Sequence, residues 1–364
     1  MTSPAEAGER RRALVVGTGL IGGSIALGLR RRGWHVSGLD ADEERLRSAL
    51  AAGVIDDAGD DLRAEVVFVA VPAASVAPVA RGILQTDGRR GDAVVTDVSG
   101  VKTTIVKESD HSRFIGGHPM AGSEQSGLHG ADADLFVGAI WVLTPTATTD
   151  LEAFDRLKGV VMSLGADVLV LSAADHDRLV AVVSHVPHLV AATLMNAAAD
   201  GAQQDGTLLR LAAGGFRDMT RVAAGHPGIW PDICAENSSA IVAALDALLT
   251  DLSAMRDRVA SQNRTAILES LEKASAARRS LPARAVRPEH LAELRIAVPD
   301  RDGVIAEIAS LAAGAGINIY DIEIAHSAEG AQGVLILIVE SADAETLRVA
   351  VDAAGYRGRA EQLS

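Results

Sequence analysis

From Arg12 to about Ala173, short β-branched runs alternate with amphipathic stretches of helix length. "ALVVG", "HVSGLD", "EVVFVAVP", "DAVVTDVSG", "WVLTP" and "DVLVLSA" are apolar along most of their length instead of alternating with polar residues. Runs of that kind predict strands buried on both faces, hence a mostly parallel sheet covered by helices on either side. After Ala174 the strand signal stops. Ala, Leu and Val recur at helical spacing in "DRLVAVVSHVPHLVAATLMNAAA" and "SSAIVAALDALLTDLSAM", which predicts an all-helical domain over 174–277. The basic, Pro-containing stretch "KASAARRSLPARAVRPEH" lacks a clear apolar face and reads as a linker over 278–290. From 291 to 364 the pattern spells strand, helix, strand, strand, helix, with a last strand at "YRGRAEQL". The expected organisation is a disordered N-terminus at 1–11, an α/β domain over 12–173, an all-α domain, and a small α+β domain of βαββαβ order.

Composition narrows the class. With 364 residues, 48% of them apolar, the chain has core material for two or three domains. The single cysteine, Cys234, excludes an intramolecular disulfide and fits a reducing compartment. The opening "MTSPAEAGERRR" lacks the apolar core of a signal peptide, and no later run reads as a membrane span, so a soluble, cytoplasmic protein is expected. A formal charge of −14 disfavours nucleic acid and anionic membranes as partners. An anionic substrate would therefore need a local cation.

Chemistry enters at "ALVVGTGLIGGSIALGLRRRGWHVSGLD". Gly17, Gly19 and Gly22 stand in G-x-G-x-x-G spacing directly after a strand and at the start of a helix. The first glycine permits the tight turn, the second lets a pyrophosphate approach the backbone, and the third lets helix pack on strand. Asp40 ends the second strand, 18 residues after Gly22, where a carboxylate can accept both ribose hydroxyls and repel a 2′-phosphate. A Rossmann-type domain binding NAD, not NADP, is the reading. Contacts are expected from Gly17, Thr18, Gly19, Leu20, Ile21, Gly22 and Asp40, and from Val71 and Pro72 after the "VVFVA" strand. Arg30, Arg31 and Arg32 read as a solvated last turn favoured by the helix dipole.

Unusual polar residues then cluster in "TDVSGVK" (Asp97 to Lys102), "FIGGHPMAGSEQSG", "HDR" at His176, "SHVPH" and "GGFRDMTRVAAGHPGIWPDI". "HPMAGSE", "SHVPH" and "FRDMTRVA" with "IWPDI" occur in the order and spacing of the prephenate and arogenate dehydrogenases of tyrosine biosynthesis, and the chain resembles that family from the Gly-rich loop through the helical domain. The C-terminal segment, through "VPDRDGVIAEIA" and "GINIYDIEI", resembles an ACT domain, a module that typically binds an amino acid.

The resemblance implies oxidative decarboxylation of prephenate by NAD, a reaction that needs a base at the ring hydroxyl and cations for two carboxylates, but no metal. It makes His118 the base, stiffened by Pro119, with flanking glycines giving a substrate room. A hydrogen-bonded turn histidine is the bland alternative. Arg221 is expected to clamp a carboxylate, or else to pair with Asp218, with Asp218 and Glu124 orienting it. The resemblance sets His188 against the substrate and His176 further out, and Pro187 is expected to kink the helix so that His188 faces the cleft. Trp230 either walls the substrate ring or belongs to the core, and Gly214 joins the substrate-side residues. A zinc site built from His176, His185 and His188 is the disfavoured alternative.

One position departs from the family pattern. Where its members carry a serine before the Val-Lys pair, this chain has Gly100, preceded by Ser99. Either Ser99 reaches round, or a water or Ser123 substitutes. Arogenate is the rival substrate, and a non-catalytic amino-acid sensor and a generic hydroxyacid dehydrogenase are rivals of other kinds. Tyrosine is the expected effector, at Asp302, Gly303, Val304, Asn318 and Ile319, and a homodimer through the helical domain is the expected assembly.

Overall fold

The computed structural model describes residues 10–85, 91–122, 127–225, 227–280, 291–299, 301–326 and 332–362. Ser123 and Glu124 lie outside the described residues, as do 1–9 and the 281–290 part of the expected linker. Two compact units divide the chain, 1–252 and 253–364.

In the first unit, strands β1 (Arg12–Val16), β2 (His35–Leu39), β3 (Asp57–Ala58), β4 (Val66–Val69), β5 (Val94–Asp97), β6 (Phe114–Pro119), β7 (Ile140–Thr144) and β8 (Asp167–Val170) form one sheet in the order β3-β2-β1-β4-β5-β6-β7-β8. The first six run parallel, β7 turns antiparallel to β6, and β8 follows β7 in parallel. Helices α1 (Leu20–Arg31), α2 (Glu43–Ala51), α3 (Ala73–Leu84), α4 (Thr103–Glu108) and α5 (Leu151–Ser163) connect them. Burial on both faces explains the continuous apolar runs. One face packs Ile25, Leu29, Trp141 and Leu157, and the other packs Leu14, Val67, Val76 and Ile105. Local signals agree with this plan: Asp42 caps α2 by accepting from the amides of Glu44 and Arg45, and Asp150 caps α5.

Three expectations change here. The "FIGGHP" segment is a strand, β6, and not a Gly-rich turn. Its two glycines do not give a ligand room, because a Cβ on Gly116 would lie 2.4 Å from Thr144 Oγ1 and one on Gly117 would lie 2.6 Å from the Asp97 carbonyl oxygen. They are glycines because neighbouring strands press on them. The arginines ending α1 are also more than solvated ends: Arg30 pairs with Asp56 at 2.9 Å and Arg31 with Asp134 at 2.7 Å.

Helices follow: α6 (Ala173–Val180), α7 (Val186–Gln204), α8 (Gly214–Thr220), α9 (Trp230–Glu236) and α10 (Ser238–Ala260). Ser172 caps α6 through the Asp175 amide. Between α6 and α7 the chain keeps its helical course through a π turn, Ala181–His185, and Pro187 lies just inside α7. The expected kink is thus a local widening. Proline has no N–H to donate and crowds the carbonyl four residues back, and a π turn absorbs both effects. By length and composition, Ala173–Gln203 and Ser238–Ala260 could each cross a bilayer, contrary to the expectation of no such run. A packed helix of a soluble protein passes the same test, and the first stretch holds the buried polar groups His176, Asp177 and His185.

The second unit contains α11 (Arg264–Arg279), which runs two residues into the segment read as linker. It also contains β9 (Leu291–Pro299), α12 (Val304–Gly314), β10 (Ile319–His326), β11 (Gln332–Glu340), α13 (Ser341–Ala353) and β12 (Arg357–Gln362). Their antiparallel sheet has the order β10-β11-β9-β12, the expected βαββαβ arrangement. Its core joins Leu294 and Ile296 of β9 to Ile308, Leu337 and Leu347.

Candidate active site

The sheet order reverses between β1 and β4, and the loops after these strands line the crevice where doubly wound sheets bind nucleotides. The three glycines of the first loop have separate duties. Gly17 has φ +95°, and a Cβ there would lie 2.2 Å from the carbonyl oxygen of Ala70, just ahead of Val71 and Pro72. A Cβ on Gly22 would lie 1.9 Å from the Gly17 carbonyl oxygen. Gly19, by contrast, has no heavy atom within 4 Å of such a Cβ, and as N-cap of α1 it makes no side-chain cap. Two glycines close the loop and the third leaves the helix N-terminus open, with Leu20 and Ile21 in its first turn. That arrangement fits a dinucleotide pyrophosphate.

Asp40 differs from expectation. Its Oδ2 accepts from the Thr18 amide at 2.8 Å and the Thr18 hydroxyl at 3.0 Å, and its Oδ1 accepts from the Asp42 amide at 2.9 Å and Arg45 at 3.3 Å. A carboxylate offers about four acceptor sites, so Asp40 here organises the loop and does not present free oxygens to a ribose. These hydrogen bonds and Arg45 hold its carboxyl below the usual range, although burial works the other way.

At the far side of the crevice, β5 ends in Asp97, α4 begins after Lys102, and His118 sits near the end of β6. Asp97 accepts from the Gly117 amide at 3.0 Å and the Ser99 amide at 2.9 Å, and it forms a fully buried ion pair with Lys102. Burial pulls the Lys102 ammonium below its ordinary range, and Asp97 pulls it back. His118 Nδ1 lies 2.8 Å from His176 Nε2, and His176 Nδ1 lies 2.8 Å from Asp177 Oδ1. Asp177 also accepts from the Lys102 amide at 2.8 Å and the Thr103 amide at 2.7 Å. Because an ionised carboxylate only accepts, His176 donates from Nδ1 and receives at Nε2, so His118 donates from Nδ1 and keeps its lone pair on Nε2. That nitrogen faces Gly100, where a Cβ would be 3.7 Å away. Burial holds His118 well below its ordinary 6.5, helped by His176, Lys102 and His185 and opposed by Asp177. It is a neutral imidazole with one fixed acceptor.

The helical side connects to this cluster through Asn237, whose Nδ2 donates to the Asp177 carbonyl at 2.9 Å and lies 3.2 Å from His185 Nδ1. Buried His185, with its pKa lowered to about 4 chiefly by desolvation, meets Trp230 edge-on. Trp230 in turn stacks on His188 at 3.7 Å with 12° between the planes. Arg221 opens a short 3₁₀ turn after α8, and this turn packs on α7 beside His188; a Cβ on Gly225 would be 3.8 Å from His188 Cε1. Asp218 and Gly214 are exposed on α8, as is Arg221 beyond it.

The structure sets Gly100 beside His118 Nε2 and stacks His188 on Trp230, and Glu124 and Ser123 lie outside the described residues. Ser99 is held through its own amide, and it is Gly100 that faces the imidazole. His176, expected further out, is the direct partner of His118. The chain's pattern did not single out Asp177 or Asn237; the "HD" pair was its only signal.

In the second unit a cavity of about 550 Å³ is lined by Arg301, Asp302, Gly303, Val304 and residues of β9 and β11. Asn318 and Ile319 are not part of its lining, since Ile319 packs on the core.

Comparisons agree with this division of labour. Residues 25–170 match the family model described as prephenate dehydrogenase, nucleotide-binding domain, and residues 172–273 match prephenate dehydrogenase, dimerization domain. A prephenate dehydrogenase of Bacillus subtilis (strain 168) is 33% identical over 344 residues, covering 91% of this chain and 92% of its own. The crystal structure of prephenate dehydrogenase from A. aeolicus in complex with hydroxyphenyl propionate and NAD+ is 30% identical with TM-score 0.69, covering 75% of this chain and 99% of that one. An arogenate dehydrogenase structure from Synechocystis is 34% identical with TM-score 0.64, over 73% of this chain and 98% of that one.

Proposed function

The chain belongs to the prephenate dehydrogenase family and is an NAD-dependent dehydrogenase, and we propose that it converts prephenate to 4-hydroxyphenylpyruvate with His118 accepting the hydroxyl proton. The observation that carries the base assignment is the fixed tautomer of His118: Nδ1 is taken by His176 at 2.8 Å and Nε2 is left as an acceptor. NAD+, when bound, takes the hydride from ring C4. Nε2 takes the proton of the C4 hydroxyl as the O–H pair forms the carbonyl; the ring carboxylate then leaves as CO2, its bonding pair moves through the ring onto that oxygen, and the oxygen takes the proton back from His118 to give the phenol. A base that is neutral at working pH is ready without prior deprotonation.

Arg221 is the proposed clamp for a substrate carboxylate, and the stacked pair of His188 and Trp230 is the proposed flat wall beside the ring. On the cofactor side, the acidic run after Asp40 (Asp42, Glu43, Glu44) supports NAD over NADP by charge. Exposed Val242, Leu249 and Leu252 on α10 support a homodimer through the helices. A soluble, cytoplasmic enzyme under feedback control fits this reading: the C-terminal unit is the proposed ACT-like site for tyrosine, with Asp302, Gly303 and Val304 at its cavity. Steady-state assays with prephenate and arogenate side by side test the substrate assignment. A higher kcat/KM for prephenate is expected, and a higher value for arogenate would reverse it.

A further inference from the structure

We infer that His176 and Asp177 are positioning residues for the reaction, a two-member relay that fixes the tautomer of His118 and stabilises the proton it receives. The inference rests on the reading of His118 as the proton acceptor.

Three observations build it. The two imidazoles meet nitrogen to nitrogen at 2.8 Å with their planes at 73°, a geometry made for one N–H donor and one lone pair and not for stacking. His176 is fully buried, and both of its ring nitrogens are engaged, one by His118 and one by Asp177. Asp177 is itself held by the amides of Lys102 and Thr103 and by its own carbonyl's bond to Asn237, so the relay ends on an anchored carboxylate. A chain of donors that ends on a fixed anion has one proton order. Nδ1 of each ring donates toward Asp177, which leaves Nε2 of His118 facing the open side at Gly100.

Charge bookkeeping points the same way. The groups around the imidazole pair are Asp177 on α6, the buried Asp97–Lys102 pair at the end of β5 and the start of α4, and His185 on the π turn. Burial, His176, Lys102 and His185 all oppose a proton on His118, and Asp177 favours it, so the carboxylate that ends the chain offsets part of the cost of the charge that develops as the substrate hydroxyl is deprotonated.

The test compares full-length His118→Asn, His176→Leu, His176→Gln and Asp177→Asn for kcat, KM and the pH profile of kcat/KM. Glutamine can still accept from His118 Nδ1, whereas leucine cannot. The relay predicts that leucine lowers kcat by about 10- to 100-fold, a fraction of what a positioned base is worth, with KM for NAD unchanged and with glutamine recovering most of the loss. Asp177→Asn should lower kcat and move the acid limb to lower pH, since the carboxylate favours the protonated imidazole. Wild-type turnover in His176→Leu beside a crippled His118→Asn would overturn the relay and leave the base standing; wild-type turnover in His118→Asn would overturn both. Equal losses for leucine and glutamine, with an unmoved limb in Asp177→Asn, would reduce the pair to packing. Should the leucine variant fail to fold, glutamine decides with Asp177→Asn: near-normal kcat with a shifted limb supports the relay, and an unshifted limb contradicts it.

Discussion

A Cβ built on Gly100 stands 3.7 Å from Nε2 of His118, at ordinary contact distance and on the side of the ring that carries the lone pair. The position is therefore spacious enough for a serine, and its hydroxyl would point at the base. Gly100→Ser is predicted to fold normally and to keep activity within about tenfold. Donation to the neutral form disfavours protonation, so the acid limb of kcat/KM should move to lower pH. A limb that stays in place, measured by initial rates across pH, would mean that the hydroxyl never reaches Nε2.

The three glycines of the first loop should separate cleanly. Gly17→Ala and Gly22→Ala force a Cβ within 2.2 Å and 1.9 Å of carbonyl oxygens, so each should cost at least about 1–3 kcal/mol in urea unfolding. Gly19→Ala meets nothing within 4 Å and should leave stability nearly unchanged while weakening NAD. Calorimetry of NAD binding beside the unfolding curves checks both halves. Normal NAD affinity in Gly19→Ala would remove that glycine from the pyrophosphate site.

Lys102→Met leaves the fully buried Asp97 without its ammonium partner. A loss of about 3–5 kcal/mol is expected in denaturant unfolding, the scale for breaking a buried pair on one side. Lys102 also repels the protonated form of His118. Its removal should therefore raise the imidazole's pKa and carry the acid limb to higher pH, opposite in sign to Asp177→Asn. A shift in the same direction for both variants would contradict the electrostatic frame.

Acid should weaken the fold well before the carboxylates titrate. His118, His185 and His188 all have pKa values below the ordinary 6.5 in the folded chain, chiefly through burial. The unfolded chain thus binds more protons in this window, and stability is full above about 6.5 and lost as pH falls. For His185 the loss continues down to about 4. Thermal unfolding should show Tm falling steadily through that range, and a flat Tm would contradict the lowered pKa values of these histidines.

Much of the architecture was legible because period and burial are local signals. The apolar runs marked the parallel strands, the G-x-G-x-x-G spacing marked the turn after β1, and βαββαβ order marked the C-terminal unit. What stayed hidden depends on residues far apart in the chain. Gly116 and Gly117 read as clearance for a substrate beside His118, yet their reason lies in Thr144 and Asp97, the opposing atoms of β7 and β5. His176 was visible as a histidine, but its tie to His118 spans 58 residues. Asp40 sat where the motif demanded, and only the fold showed its carboxylate turned under the loop toward Thr18.

The most direct test is NADH formation by the purified chain with prephenate and NAD+ in the presence of a chelator, with CO2 release followed in parallel. The account predicts NADH and CO2 in equal amounts, 4-hydroxyphenylpyruvate as product, and no effect of the chelator. No NADH with prephenate, or a rate that the chelator abolishes, would contradict it.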